Sequence, residues 1–315
     1  MMILNAKEVA SALPYDELIE ALKAAFASDV EVPQRAHHEV PVPGANDGTL
    51  LLMPAWQAGR SMGVKIATVF PDNAQHDYPA VFASYFLMSA ASGLPVAVLD
   101  GTELTVRRTA AASALASSYL SRQDARKLLM VGTGNLAPHL IAAHATARPI
   151  EEVVIWGRRQ TAAEKLAKKV SAPVLSVSVT DDLERAVQDA DIISCATLAT
   201  DPLIKGAWLR EGQHLDLVGA FKPEMREADT EAVCRSRLFV DTRAGAVAEA
   251  GEIVQAIESG SISEADIVGE LSELASASIA GRNTAAEITL FKSVGTALED
   301  LAAAELALRN HTRDS

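Results

Sequence analysis

The rhythm of hydrophobic and polar positions changes near residue 120. Upstream, short apolar runs broken by Pro and Gly predict strands at Gly48–Pro54, Met62–Phe70, Tyr78–Ser89 and Leu94–Leu99. They suggest a sheet of their own, with a strand order that the pattern does not reveal. Downstream, apolar runs alternate with helical periods. Strands are expected at Lys127–Val131, Glu152–Trp156, Val174–Val179, Ile192–Cys195, His214–Val218 and Leu238–Val240. Helices are expected at Ala137–Ala147, Thr161–Val170 and Leu183–Ala190. Continuous apolar strands alternating with helices predict a parallel sheet covered on both faces. Alanine-rich stretches at Thr109–Leu120 and Thr296–Leu308 read as helices, because alanine costs least there. Near residue 290 the pattern turns into a final long helix, expected to pack back on the first domain. The fold class is therefore α/β, with a Rossmann-type domain (120–291) inserted into a discontinuous α+β domain (1–119, completed by 292–315).

Composition narrows the field of partners. The chain has 315 residues, 49% of them hydrophobic, enough to bury a large core. A formal net charge of −13 would repel phosphate backbones, which argues against nucleic acid. No apolar run approaches the roughly 18 residues of a membrane span, so no membrane partner is expected. The N-terminus, MMILNAKEVASALPYDEL, lacks the basic and apolar regions of a secretory signal. Cys195 and Cys234 sit in apolar runs and form no C-x-x-C pair, which fits a reducing, cytoplasmic setting and no zinc. His37-His38 is the only histidine cluster, and no ligand spacing surrounds it, so no metal is expected.

The strongest motif follows the first strand after residue 120. KLLMVGTGN places Gly132, Gly134 and Ala137 as G-x-G-x-x-A, directly after an apolar strand and directly before a helix. Gly132 makes the tight turn, Gly134 lets backbone approach a pyrophosphate, and Ala137 keeps helix and strand close. Thr133, Asn135 and Leu136 complete the turn, and the helix N-terminus offers N–H groups to phosphate. The next strand ends VVIWGRRQ. Where an NAD site places an acid, this chain has Gly157, Arg158 and Arg159. An acid there would repel a 2′-phosphate by roughly 3 kcal/mol at about 5 Å and an effective dielectric of about 20. An arginine attracts that phosphate, so NADPH is expected, with NADH weaker, Arg158 as the main contact and Thr161 assisting. The plain alternative is that both arginines are solvated surface charge.

Three cations upstream stand out: Arg35 in VPQRAHHE, Lys65 in MGVKIATVF and Arg108 in TVRRTAAASA. Lys65 lies inside an apolar strand, either at an edge with its amine in water or held inward for a purpose. Arg108 opens a helix of small residues, an unusual place for a cation unless an anion is close.

Taken together, LLLMPAW, GVKIATVFPDN, LDGTELTVRRTAAASALAS, VGTGN, LATDPLI, LVGAFKPEMREAD and TLFKSVGTALED resemble the ornithine cyclodeaminase/mu-crystallin family, in order and over nearly the whole chain. The resemblance implies a substrate-binding and dimerisation domain from both chain ends, an inserted Rossmann domain, and homodimers whose substrate-domain sheets meet. It implies that Arg35, Lys65 and Arg108 hold a substrate carboxylate. It puts Thr197 and the Val218-Gly219-Ala220 turn near cofactor and substrate, and Ser293 and Gly295 near the nicotinamide. Two departures matter. The glutamate that cyclodeaminases of the family carry before Leu-Met-Pro is Leu51 here, and their catalytic aspartate beyond Val-Gly is Phe221. An open-chain diamine needs acidic partners, whereas an apolar wall of Leu51, Met53 and Phe221 suits a neutral ring. The resemblance therefore points to the reductase branch, which reduces the cyclic imines Δ1-pyrroline-2-carboxylate and Δ1-piperideine-2-carboxylate to L-proline and L-pipecolate. Lys65 is the catalytic candidate, as electrostatic support for a preprotonated iminium or as proton donor. Ornithine cyclodeamination, alanine-type dehydrogenation and non-catalytic ligand binding stand as alternatives. The roles of Glu227 and Asp229 stay open between capping, surface and catalysis.

Overall fold

The computed structural model describes residues 1–76, 78–172 and 175–313. It divides into two compact units: Met1–Arg108 with Thr296–Ser315, and Thr109–Gly295.

The first unit is built on a six-stranded sheet: β1 (Met2–Leu4), β2 (Ala36–Val40), β3 (Gly48–Trp56), β4 (Ser61–Val69), β5 (Val81–Ser89) and β6 (Pro95–Asp100), in the order β1-β6-β5-β4-β3-β2. β1 runs parallel to β6, and every other pair is antiparallel. The four expected strands are present with shifted ends. β5 starts at Val81 rather than Tyr78, after Pro79. β1 and β2 escaped the pattern: one has three residues, the other reads AHHEV with both faces partly exposed. Strand alternation gives the sheet two unlike faces. Met53, Ala55, Lys65, Ala67, Tyr85, Leu87, Ala97 and Leu99 are buried on one. The helix Ala297–Arg313 packs over β3, β4 and β5, and the helix Tyr15–Phe26 packs on it in turn. The opposite face shows Leu50, Leu52, Val64 and Ile66 half-buried, with Phe82 and Phe86 exposed.

The helix expected at Thr109–Leu120 begins earlier, at Gly101. The Asp100 carboxylate accepts from the Glu103 N–H at 2.8 Å, as a helix cap does, and Arg107 pairs with Glu103 one turn away at 2.6 Å. The polar half of this helix hid its start.

The second unit holds an eight-stranded, wholly parallel sheet: β7 (Lys127–Val131), β8 (Glu152–Trp156), β9 (Ser176–Val179), β10 (Ile192–Cys195), β11 (His214–Leu217), β12 (Arg237–Val240), β13 (Ile267–Glu270) and β14 (Thr289–Lys292). The order is β13-β12-β14-β11-β10-β7-β8-β9. The expected Rossmann strands recur within a residue or two; Val174, where β9 was expected to start, lies outside the described residues. Residue 290 requires a correction. It belongs to strand β14, inserted between β11 and β12, and the last helix starts only at Ala297. All four residues of β14 are buried, so the run has no alternation and is too short to separate from the helix that follows. β13 was missed for similar reasons of length. Leu129, Val131, Ile193, Leu215, Leu217, Leu238, Val240 and Leu290 form the centre of the core.

Strand order reverses between β7 and β10, since the chain builds outward from β7 through β8 to β9 and then continues on the other side. In open parallel sheets, ligands bind beyond the carboxyl ends of the strands at such a reversal.

Candidate functional site

Each unit gathers part of the chemistry. In the first, Lys65 stands in the middle of β4, opposite Met53 on β3 and Tyr85 on β5. Leu51, paired with Ala67, shares that face, so Leu51, Met53 and Lys65 line one surface of the sheet. Lys65 is only 3% exposed and points inward, the second of the two readings its strand position allowed. Its Nζ lies 2.7 Å from Asp300 Oδ2. Arg108 is also buried; its Nε donates to Asp300 Oδ1 at 3.0 Å, and its Nη1 donates to the Glu299 carboxylate. The anion expected near Arg108 is thus this acid pair, both members fully buried in the first turn of the last helix. Burial pulls the Lys65 pKa down to about 8, the Asp300 charge resists that fall, and Arg108 adds to it. Arg35 is half-buried just ahead of β2, whose first residue, Ala36, pairs with Leu52. The structure brings Lys65 and Arg108 onto one acid pair and keeps Arg35 two strands from Lys65.

In the second unit the sequence-predicted positions collect at the carboxyl ends of the strands. Gly132 follows β7 with φ 117°, and a Cβ there would lie 2.5 Å from the Ala196 carbonyl oxygen after β10. Only glycine fits that turn at the strand reversal. A Cβ on Gly134 would meet nothing within 4 Å, so that position faces open space. Thr133 lies between, its Cγ2 against Gly157 at the end of β8. Asn135 is exposed, Leu136 is the N-cap residue of the helix Ala137–Ala147, and Ala137 is buried against the sheet. No side chain caps this helix; Pro138 in its first turn has no N–H, and the N–H groups of Ala137 and His139 donate to Gly134 O at 3.2 Å and to Leu136 O at 3.0 Å. Arg158 and Arg159 are both exposed after β8. Phe221 is 39% exposed in the segment after β11.

Thr197, Val218, Gly219 and Ser293 stand at the ends of β10, β11 and β14, and buried acids hold their turns. Glu227 is fully buried. It accepts from Thr197 N at 2.6 Å, Thr197 Oγ1 at 2.8 Å and Gly219 N at 2.7 Å. Glu252 accepts from Glu227 N at 2.7 Å and pairs with buried Lys292 at 3.1 Å. Asp241 accepts from Ser293 Oγ, Val294 N and Gly295 N at 2.9, 2.8 and 2.6 Å. Asp229, by contrast, caps the helix Thr230–Cys234. Sequence reasoning missed Asp300, Glu299, Asp241, Glu252 and Lys292. The available signals were Lys292, a cation inside the apolar run ITLFKSV, and the two adjacent acids of TALED. Among the described residues no group of three His, Cys, Asp or Glu side chains could hold a metal ion, and no helix is long and apolar enough to cross a membrane.

A protein of Colwellia psychrerythraea named Δ1-pyrroline-2-carboxylate reductase is 40% identical over 308 residues, covering 96% of this chain and 97% of its own. The structure of the Thermococcus litoralis Δ1-pyrroline-2-carboxylate reductase, solved with NADH and L-proline, superposes with a TM-score of 0.94 at 33% identity, covering 100% of this chain and 98% of that one. An archaeal alanine dehydrogenase dimer with bound NAD superposes with a TM-score of 0.92 at 30% identity, covering 100% of this chain and 97% of that one. The description "Ornithine cyclodeaminase/mu-crystallin family" matches residues 1–314, and the chain belongs to that family.

Proposed function

We propose that the protein is a nicotinamide-dependent reductase that delivers hydride to the C=N bond of a cyclic imine carboxylate, Δ1-pyrroline-2-carboxylate or Δ1-piperideine-2-carboxylate. The observation that carries this reading is buried Lys65 on one sheet face with Leu51 and Met53, joined through Asp300 to buried Arg108. Lys65 has N–H donors beyond the one that meets Asp300, so a substrate carboxylate can join it there, and the neighbouring apolar side chains favour ring methylenes over a free ammonium. The names of the Colwellia and Thermococcus relatives support the same substrate class.

In this reading the first unit is the substrate domain and the second the cofactor domain. Arg35, Lys65 and Arg108 hold the substrate carboxylate, and Leu51 and Met53 meet the ring. The bound nicotinamide supplies the hydride. Lys65 keeps positive charge beside the imine, which supports a substrate that arrives protonated on nitrogen. Gly132 to Ala137 take the pyrophosphate, and Gly157, Arg158 and Arg159 face the adenosine ribose. Thr197, Val218, Gly219 and Ser293 shape the nicotinamide end. The two arginines, with no acid beside them in sequence, favour NADPH over NADH. Neighbouring structures hold NADH and NAD, so the choice of cofactor is a direct test of the arginines.

The exposed apolar face of the first sheet, with Phe82 46% and Phe86 37% exposed, fits burial against a second copy. A homodimer is expected, and Phe86→Lys should shift the mass measured in solution toward the monomer. The proposed compartment is the cytoplasm, consistent with two cysteines that form no disulfide.

The deciding experiment follows absorbance at 340 nm with each imine and with NADPH or NADH. Turnover preferring NADPH is expected. Absence of turnover with both imines would sink the reading. The likeness to an alanine dehydrogenase gives a second reading, supported if the enzyme instead oxidises L-alanine.

A further inference from the structure

Three turns at the carboxyl edge of the second sheet are held by buried carboxylates as well as by neighbouring backbone. Glu227 differs from the others in joining two turns that are far apart in sequence. Its Oε1 accepts from both the N–H and the hydroxyl of Thr197, after β10, and its Oε2 accepts from the Gly219 N–H, after β11. The packing leaves no slack. A Cβ at Gly219 would collide with the Thr197 backbone and with Glu227 Oε1. The main chain of Glu227 is tied as firmly. Its N–H donates to Glu252, and its carbonyl accepts from Leu203 N and Ile204 N, both at 2.9 Å.

We propose that Glu227 is a positioning residue for the dinucleotide: as a carboxylate it holds the Thr197 and Gly219 turns in the single shape that the cofactor meets. This inference rests on the reading of the second unit as the nicotinamide-binding domain. Glu227 is enclosed and does not itself touch the ligand; it acts through the two backbones.

The bonding pattern makes the hold depend on charge. A carboxylate has acceptor sites for all three donors, whereas a protonated Oε2 becomes a donor and no longer suits the Gly219 N–H. Three groups face Glu227: Lys292 from β14, Glu252 from the helix Gly251–Glu258, and Cys195 from β10. Burial pushes the Cys195 thiol up, so it stays neutral. Burial is also the main cause that raises the Glu227 pKa, to about 7; Lys292 opposes it and Glu252 adds to it. Hold on the two turns is therefore complete above neutrality and weakens as pH falls through about 7.

The test is NADPH affinity of the intact protein, read from nicotinamide fluorescence between pH 6 and 8.5. The wild type should lose roughly tenfold in affinity from pH 8 to pH 6, as expected where only the ionised form binds. Glu227→Gln should bind more weakly throughout and lose that dependence, with a melting curve that confirms folding. The 2′-phosphate titrates alike in both proteins, so their difference isolates Glu227. Glu252→Gln supplies an independent arm, because removing its charge should move the wild-type midpoint to lower pH. Unchanged affinity and unchanged pH dependence in Glu227→Gln would overturn the inference, as would an unmoved midpoint in Glu252→Gln. Wild-type protein that binds neither NADPH nor NADH would overturn the cofactor reading itself.

Discussion

In the first unit the buried acids Glu299 and Asp300 face side-chain cations, Arg108 and Lys65. In the second, Glu227 and Asp241 face mostly backbone N–H groups and the short hydroxyls of Thr197 and Ser293. The contrast separates two uses of a buried carboxylate. Against a cation, it sets how much charge a site keeps out of water and where that charge sits. Against backbone, it sets the shape of a turn and leaves little net charge to offer a ligand. Substitutions in the first region should therefore change chemistry and its pH dependence, and those in the second should change cofactor affinity.

The largest effect is expected at Asp300. Asparagine keeps an acceptor for Arg108 Nε but removes the negative charge 2.7 Å from Lys65 Nζ. Without that charge Lys65 and Arg108 lose their fixed positions, and Asp300→Asn should lower kcat/KM by roughly 100-fold, about 2.7 kcal/mol of transition-state stabilisation. The pH profile gives the sharper reading. Burial already holds Lys65 down to about 8, and Asp300 is the main influence holding it up. Activity that needs charged Lys65 should fall as pH rises through about 8 in the wild type, and at lower pH in Asp300→Asn. A profile with an unmoved alkaline limb would remove Lys65 charge from the mechanism.

Gly219→Ala tests the other side of the comparison. The added methyl meets the Thr197 backbone, which has no flexible end to move aside. The two turns must part, at a cost on the order of 2 kcal/mol, or roughly 30-fold in cofactor affinity. At saturating cofactor kcat should change far less, since the Lys65 cluster is untouched. A large fall in kcat with cofactor affinity intact would erase the distinction between shape and charge drawn above.

What could be read from sequence follows the same division. Lys65 and Arg108 stood out because a cation among apolar or small residues is anomalous wherever it occurs. Gly132 and Gly134 stood out because turn, strand and helix come in immediate succession. Asp300 and Glu299 did not, because acids in a first helical turn are ordinary and complement the helix dipole. Glu227 and Asp229 look alike in MREAD, yet one is a buried link between two turns and the other caps a five-residue helix. Their difference exists only once β10 and β11 lie side by side. β14 was hidden for a related reason: a central strand buried on both faces has no alternation, and four residues give no period to measure.

The smallest effect is expected at Arg158, which differs from both buried clusters in being exposed. Solvent screens its charge before a ligand arrives, so its attraction for a 2′-phosphate is worth little beyond the bonds the guanidinium itself makes. Arg158→Ser should weaken NADPH binding by about 1.4 kcal/mol, close to tenfold, and leave NADH nearly unchanged. That selective loss separates a phosphate contact from a structural role, because damage to the fold would weaken both cofactors together. A preference for NADPH that survives in Arg158→Ser but falls in Arg159→Ser would move the contact one residue along the same turn. Survival in both variants would show that cofactor choice is not made at the end of β8.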